Sequence, residues 1–231
     1  MKTVAFEEYF SRQIRLWGEE SQRSLQKKRI AIIGCGGLGS SLALALGGSG
    51  IGQIALVDFD TVSSHNIHRQ IALTLADEGR PKAEVVADRI RERNPFVQVE
   101  PLVMDFAEFT AREGEYDLVL DATDNAAVRA QIDAWAKKRN IPWLYGSVEA
   151  FNGQICLFEQ AAWNPMAPTD HTPAGVAAPM VMHVASLQAN MALRYLVGLP
   201  VTKDTLSYLY VDDTGALNTQ TFGMPVAKET K

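Results

Sequence analysis

The chain has 231 residues, 47% of them hydrophobic and 21% charged, which is enough to bury one sizeable core and is ordinary for a soluble globular domain. A net charge of −5 argues against duplex nucleic acid or an anionic membrane as the main partner, so any phosphate must be held by a local cluster of cations. Two cysteines, Cys35 and Cys156, are too few for a four-thiolate zinc site, and the apolar stretches are too short to span a bilayer or open a secretory leader, which predicts a cytoplasmic protein with no structural zinc.

Residues 5–27 read as two short helices carrying Tyr9, Ile14, Leu16 and Trp17, with Gly18 as the break between them. A strand over 28–33 leads into a glycine-rich turn and an Ala/Leu-rich helix over about 37–48, followed by a strand from Gln53 to Asp58. Residues 59–80 form a polar, irregular crossing, and Pro81 opens a helix over 81–94. Val97 to Val103 is a third strand, Tyr116 to Asp121 a fourth, and Ala126 to Arg139 a helix, so βαβ units build a parallel sheet with right-handed crossovers. Beyond Pro142 the pattern changes, because Trp143 to Val148 and Gly153 to Phe158 are strands joined by a short polar turn, which predicts an antiparallel extension. Residues 160–178 are a proline-bearing loop without periodicity, Met180 to Leu196 is helical, and strands Leu206 to Val211 and Ala216 to Phe222 close the chain. The predicted fold class is α/β: Rossmann-like and doubly wound, a mainly parallel sheet with an antiparallel C-terminal extension.

The chemistry gathers where the strands end, and ligands of open α/β sheets bind outside those ends. In Gly34-Cys35-Gly36-Gly37-Leu38-Gly39, Gly34 permits the tight turn and Gly36 lets backbone approach phosphates. Gly39 lets the helix close on the sheet, and the helix start offers free N–H groups to an anion. That spacing alone is weak; an apolar strand before it and Asp58 about 20 residues further on make it a nucleotide fingerprint. Asp58-Phe59-Asp60 places a carboxylate to accept from ribose hydroxyls, or else to cap a turn. Ser64-His65-Asn66-Ile67-His68-Arg69-Gln70 supplies a guanidinium and amides. Lys82 falls in the first turn of a helix, where a cation opposes the dipole, so a neighbouring anion explains it better than a solvated surface charge does. Asp121-Ala122-Thr123-Asp124-Asn125 can present one carboxylate to a metal ion, while Asp124 or Asn125 can equally serve as a helix N-cap. A phosphate-cradling backbone, a ribose carboxylate, two cations and one acid for a hard metal suit Mg-ATP better than NAD.

These segments, together with Ser11-Arg12-Gln13-Ile14-Arg15-Leu16-Trp17-Gly18, Gly79-Arg80-Pro81-Lys82, Gly175-Val176-Ala177-Ala178-Pro179 and Ser186-Leu187-Gln188-Ala189, resemble the adenylyltransferases related to ubiquitin-activating enzymes, the ThiF/MoeB/HesA family. The bacterial members that activate sulfur carriers are the most similar in motif. The resemblance implies one adenylation domain over 1–231. Residues 5–27 would carry an arginine finger, 28–141 form the nucleotide-binding half, and 142–231 form the antiparallel extension and acceptor-binding half. It implies that Gly34, Gly36, Gly37 and Gly39 line the nucleotide loop, with Asp58 on the ribose and Asp60 beside it. Asn66, Arg69, Gln70 and Lys82 would surround the phosphates, and Asp124, with Asn125 next to it, would bind Mg²⁺. Arg12 would reach the triphosphate of the other subunit of a homodimer, although in the sequence alone it could be an ordinary surface arginine. The catalytic set implied is thus Arg12, Arg69, Lys82 and Asp124.

The implied reaction is attack by a C-terminal carboxylate on the α-phosphorus of ATP. The implied partner is a small ubiquitin-like carrier protein, or a peptide, with a free C-terminal carboxylate, and a peptide precursor or small-molecule acid of a biosynthetic pathway comes within the same reaction type. Such an acid, with a reference pKa of about 3.5, is already ionised at neutral pH and needs no general base. Many relatives carry zinc cysteines and a reactive cysteine that this chain lacks; His171 stands at the reactive position, either as an acid/base or acceptor-binding group or as an exposed bystander. Cys35 and Cys156 read as small buried hydrophobes, His183 as a core residue of its helix, and His68 as a neighbour of the phosphate motif with either a structural or a supporting role. Two other classes compete: a non-catalytic subunit of a heterodimeric activating enzyme, which would be expected to lose nucleotide ligands, and an NAD-dependent oxidoreductase.

Overall fold

The computed structural model describes residues 4–163 and 175–226. Its eight strands form one sheet in the order β3-β2-β1-β4-β5-β6-β7-β8, where β1 is Arg29–Ile33, β2 Gln53–Val57, β3 Gln98–Leu102, β4 Leu118–Asp121, β5 Trp143–Glu149, β6 Asn152–Phe158, β7 Thr205–Val211 and β8 Leu217–Gly223. The first five neighbours run parallel, with Ile30 opposite Ile54 on one side and Leu118 on the other. From β5 onward the pairs are antiparallel, and Trp143 lies opposite Phe158.

Alternation along the strands sorts side chains onto two faces. On one face Ile30, Ile32, Leu56, Leu120 and Leu144 meet three helices: α4 (Gly37–Gly47), α5 (Lys82–Arg93) and α8 (Ala178–Leu196). On the other, Ala31, Ile33, Val119, Trp143 and Phe158 meet α6 (Phe106–Thr110) and α7 (Ala126–Arg139) in a more aromatic core. Coverage on both faces is why β1, β2 and β4 read as unbroken apolar runs. The Trp143 and Phe158 rings stack with centroids 4.8 Å apart.

Three details depart from the sequence reading. The N-terminal segment forms three helices, α1 (Phe6–Tyr9), α2 (Ser11–Trp17) and α3 (Glu19–Leu25), because buried Phe10 breaks the chain between the first two. The irregular crossing holds two short 3-10 turns, Ser64–Asn66 and Leu75–Asp77. Helix α6 was not predicted; it is short and begins with a reciprocal cap between Asp105 and Glu108.

Candidate active site

After β1 the chain turns to one face of the sheet to make α4, and after β4 it turns to the other to make α7, so a crevice opens between the ends of these neighbouring strands. The crevice has tight backbone walls. Gly34 has φ +95°, and a Cβ there would lie 2.8 Å from the Ala122 carbonyl oxygen, which ties the end of β1 to the end of β4. A Cβ on Gly39 would lie 1.8 Å from the Gly34 carbonyl oxygen, so only glycine lets α4 start this close to the strand. At Gly36 the nearest neighbour to such an atom is Gln70 Nε2 at 3.6 Å, which leaves that backbone open to a ligand.

Asp58 closes the loop from β2. Its Oδ2 accepts the Cys35 N–H at 2.6 Å and its Oδ1 the Asp60 N–H at 2.8 Å. Burial pushes the Asp58 carboxyl above the usual carboxylate range, against those two hydrogen bonds and the nearby Lys82 charge. The crossing segment returns beside its own start: Val62 N–H donates to the Arg80 carbonyl at 2.8 Å, and Lys82 N–H to the Asp60 carbonyl at 2.9 Å. This brings Lys82 Nζ to 2.7 Å from Asp60 Oδ2, with the lysine side chain 6% exposed and the aspartate 52%. Lys82 is therefore a nearly dehydrated ammonium in the first turn of α5, paired to a carboxylate that faces water.

Arg69 is held from both sides. Its Nη2 donates to Asn66 Oδ1 at 3.0 Å, and Nη1 lies 3.0 Å from His68 Nε2. Buried Gln70 stands beside Gly36, and its Oε1 has no hydrogen-bond partner among the described residues. Asp77 anchors the middle of the crossing to α5 by accepting from Thr74 Oγ1 at 2.7 Å, Arg80 Nη1 at 3.1 Å and Arg89 Nη2 at 2.9 Å. Burial alone would raise the Asp77 carboxyl, but the Thr74 bonds and Arg89 outweigh it and hold it below the usual range.

At the end of β4 two acids three residues apart differ completely. Asp121 is fully buried; it accepts from the Thr123 backbone at 2.9 Å, Thr123 Oγ1 at 2.7 Å and Arg129 Nε at 3.0 Å. Burial pushes its carboxyl up while Arg129 and Thr123 oppose the shift. Asp124 is exposed and makes no hydrogen bond or ion pair with the described residues. The N-cap of α7 is Asn125, whose Oδ1 accepts from Ala127 N–H at 2.9 Å and Val128 N–H at 3.2 Å.

Of the sequence-predicted residues, the structure brings the Gly34–Gly39 loop, Asp58, Asp60 and Lys82 together, with Asn66, Arg69 and Gln70 on the crossing beside them and Asp124 and Asn125 on the facing loop. It does not join Arg12 to them. Arg12 is exposed on α2, and α2 is docked through Gln13 Nε2 to the Ser49 carbonyl at 2.9 Å and Trp17 Nε1 to Gln22 Oε1 at 2.9 Å. His183 is half-buried at the edge of α8 rather than in the core, His68 is exposed, and His171 lies outside the described residues. Arg129 was missed; a lone arginine on an amphipathic helix carries no sequence signal of burial.

The profile of the ThiF family matches residues 10–229, nearly the whole chain. The chain belongs to the ThiF family. It is 36% identical over 203 residues to the molybdopterin-synthase adenylyltransferase of Escherichia coli K12, covering 82% of both chains. To the sulfur carrier protein ThiS adenylyltransferase of the same organism it is 35% identical over 204 residues, covering 82% of this chain and 81% of that one. The protein is an enzyme of this adenylyltransferase class. Among solved structures, E. coli MccB with ATP superposes with a TM-score of 0.82 at 20% identity, over 97% of this chain and 73% of that one. PaaA superposes with a TM-score of 0.81 at 21% identity, over 97% and 76%. At that identity the likeness speaks for the doubly wound fold.

Proposed function

We propose that this enzyme activates the C-terminal carboxylate of a small ubiquitin-like sulfur-carrier protein, using ATP and Mg²⁺, and that it works as a cytoplasmic homodimer. The observation that carries the reading is the pairing of an open backbone at Gly36 with a buried ammonium on Lys82 beside the same loop, together with an exposed Asp124 carboxylate on the loop after β4, whose start packs against Gly34. The relatives' own activities, on molybdopterin synthase and on ThiS, favour a carrier protein as acceptor.

The residues present fit the two groups. Gly36 leaves room for a phosphate against backbone, and Gln70 Oε1 is a buried acceptor in want of a donor such as a nucleotide or water would supply. Among the described residues no three His, Cys, Asp or Glu side chains are gathered as a metal cage. One carboxylate with phosphate oxygens and waters is the ordinary protein share for Mg²⁺ on a nucleotide. Asp124 would hold the ion, which supplies charge neutralisation on the triphosphate. Backbone of Gly34, Gly36, Gly37 and Gly39 cradles the phosphates, and Asp58 accepts from the ribose. Asn66, Arg69 and Lys82 bind the charged oxygens, and Arg12 arrives from the other subunit.

In the reaction the acceptor carboxylate oxygen bonds to the α-phosphorus and the bond to pyrophosphate breaks, giving an acyl adenylate. The attacking group is already an anion, so the side chains orient it and stabilise charge without moving a proton. The test is isotope exchange between pyrophosphate and ATP. Exchange is expected only when an acceptor ending in a free carboxylate is added, and Lys82→Ala or Asp124→Ala should lower it by at least about 100-fold. Mixed Arg12→Ala and Asp124→Ala subunits should regain part of it, because one of the two sites in the heterodimer would be whole. Wild-type exchange in both the Lys82 and Asp124 variants overturns the site assignment, and absence of rescue in proven heterodimers overturns the role of Arg12.

A further inference from the structure

Arg129 lies at the root of the β4–α7 loop with only 9% of its surface exposed. Its Nε donates to Asp121 Oδ2 at 3.0 Å, and its Nη2 donates to the Thr123 carbonyl at 2.5 Å and the Gly146 carbonyl at 3.3 Å. The guanidinium also lies over the Tyr145 ring, 5.0 Å from its centroid. One side chain from α7 thus grips the end of β4, the residue immediately before Asp124, and the middle of β5. Helix α8 joins the same knot, since Gln188 Nε2 donates to the Asp121 carbonyl at 3.0 Å. A Cβ on Gly146 would lie 2.2 Å from that amide, so the strand closes against Gln188.

Packing alone does not explain a charge here. Burying an ion pair gains little net stability over apolar side chains of similar size, so what the pair adds is a defined geometry. That geometry is specific to the loop: Asp121 takes the Thr123 amide and hydroxyl while Arg129 takes the Thr123 carbonyl, so Thr123 is pinned at three polar atoms. Asp124, the next residue, carries a carboxylate that binds nothing among the described residues and so cannot orient itself. The two buried charges also balance each other, leaving Asp124 the uncompensated acid on this loop.

We propose that Arg129 is a positioning residue, which through Thr123 fixes the direction in which Asp124 presents its carboxylate to a divalent cation. The inference rests on the reading of Asp124 as the cation's ligand. It is tested on the full chain with a non-hydrolysable ATP analogue, following Mn²⁺ binding by loss of the free ion's paramagnetic resonance signal. Arg129→Lys keeps the charge beside Asp121 but lacks the planar fork that serves several acceptors at once. The expected result is about tenfold weaker Mn²⁺ binding, with the analogue's metal-free affinity unchanged. Thr123→Val, which loses only the hydroxyl, should weaken Mn²⁺ binding less, and it decides the matter if the Arg129 variant does not fold. Adding Arg129→Lys to Asp124→Ala should bring no further loss, because the two act as one unit. Wild-type Mn²⁺ affinity in a folded Arg129→Lys protein, or in Thr123→Val where the former is unfolded, overturns the proposal, as does a full additional loss in the double variant. Unchanged Mn²⁺ affinity in Asp124→Ala alone is a separate outcome: it removes the cation ligand itself, and the positioning role with it.

Discussion

The parallel half of the sheet and its antiparallel extension obey different rules. In β4 every residue is buried, and in β1 and β2 only the first residue is not, whereas in β8 every residue is at least partly open to solvent, including Leu217 at 53% and Phe222 at 47%. The inner parallel strands β1, β2 and β4 lie between helices on both faces and are apolar between their ends, whereas the edge strand β3 carries Gln98 and Glu100. Along the inner strands polar chemistry falls at the ends, where Asp58 and Asp121 stand. In the extension, β7 still buries Leu209 in one core and Leu206 in the other, and only the edge strand β8 beyond it is open along its whole length. The doubly covered strands β1 and β4 set the geometry of the crevice at their ends, and β8 leaves the far edge of the sheet open.

That contrast can be broken by substitution. The largest effect is expected for Gly39→Ala, which drives a methyl into the Gly34 carbonyl oxygen; about 3 kcal/mol should be lost from the unfolding free energy measured by urea denaturation, together with nucleotide binding. Asp77→Asn comes next, at about 1–3 kcal/mol near neutral pH, since it weakens the anchor of the crossing to α5. The sign with pH is fixed by the lowered carboxyl. Asp77 contributes fully above the ordinary carboxylate pKa of 3.8, and its contribution disappears as pH falls through its lower folded value. Urea titrations below about pH 5 should therefore converge for wild type and variant as acidity increases. Leu217→Ser is expected to be the mildest, within about 0.5 kcal/mol. A large loss there would mean that β8 is covered in the working assembly, and the contrast between the halves would belong to the isolated chain only.

The strands were legible because double coverage writes itself as short apolar runs, and the switch to antiparallel pairing was legible in the close spacing of β5 and β6. Helix α6 was not, because five residues are too few to show a helical period, although its Asp105 and Glu108 cap was there to be seen. The tight turn after β1 was legible from Gly34 and Gly39, where a Cβ would run into backbone. Asn125 was ambiguous between ligand and cap, and its amide oxygen proves to be engaged in the cap. Arg129 was invisible, since whether an arginine faces water depends on which strands lie beneath its helix, and that is a property of the tertiary fold.

The two thiols have a use that follows from where they lie. Cys35 sits in the glycine-rich loop after β1 and Cys156 in β6, both with no exposed surface, the first raised well above a free thiol by burial and the second pushed up to about 12. Neither reacts while its surroundings stay closed, so the rate at which each is alkylated is a clock for local opening. One native cysteine reports on each half, and timing the two labels under mild denaturant would reveal which half lets go first.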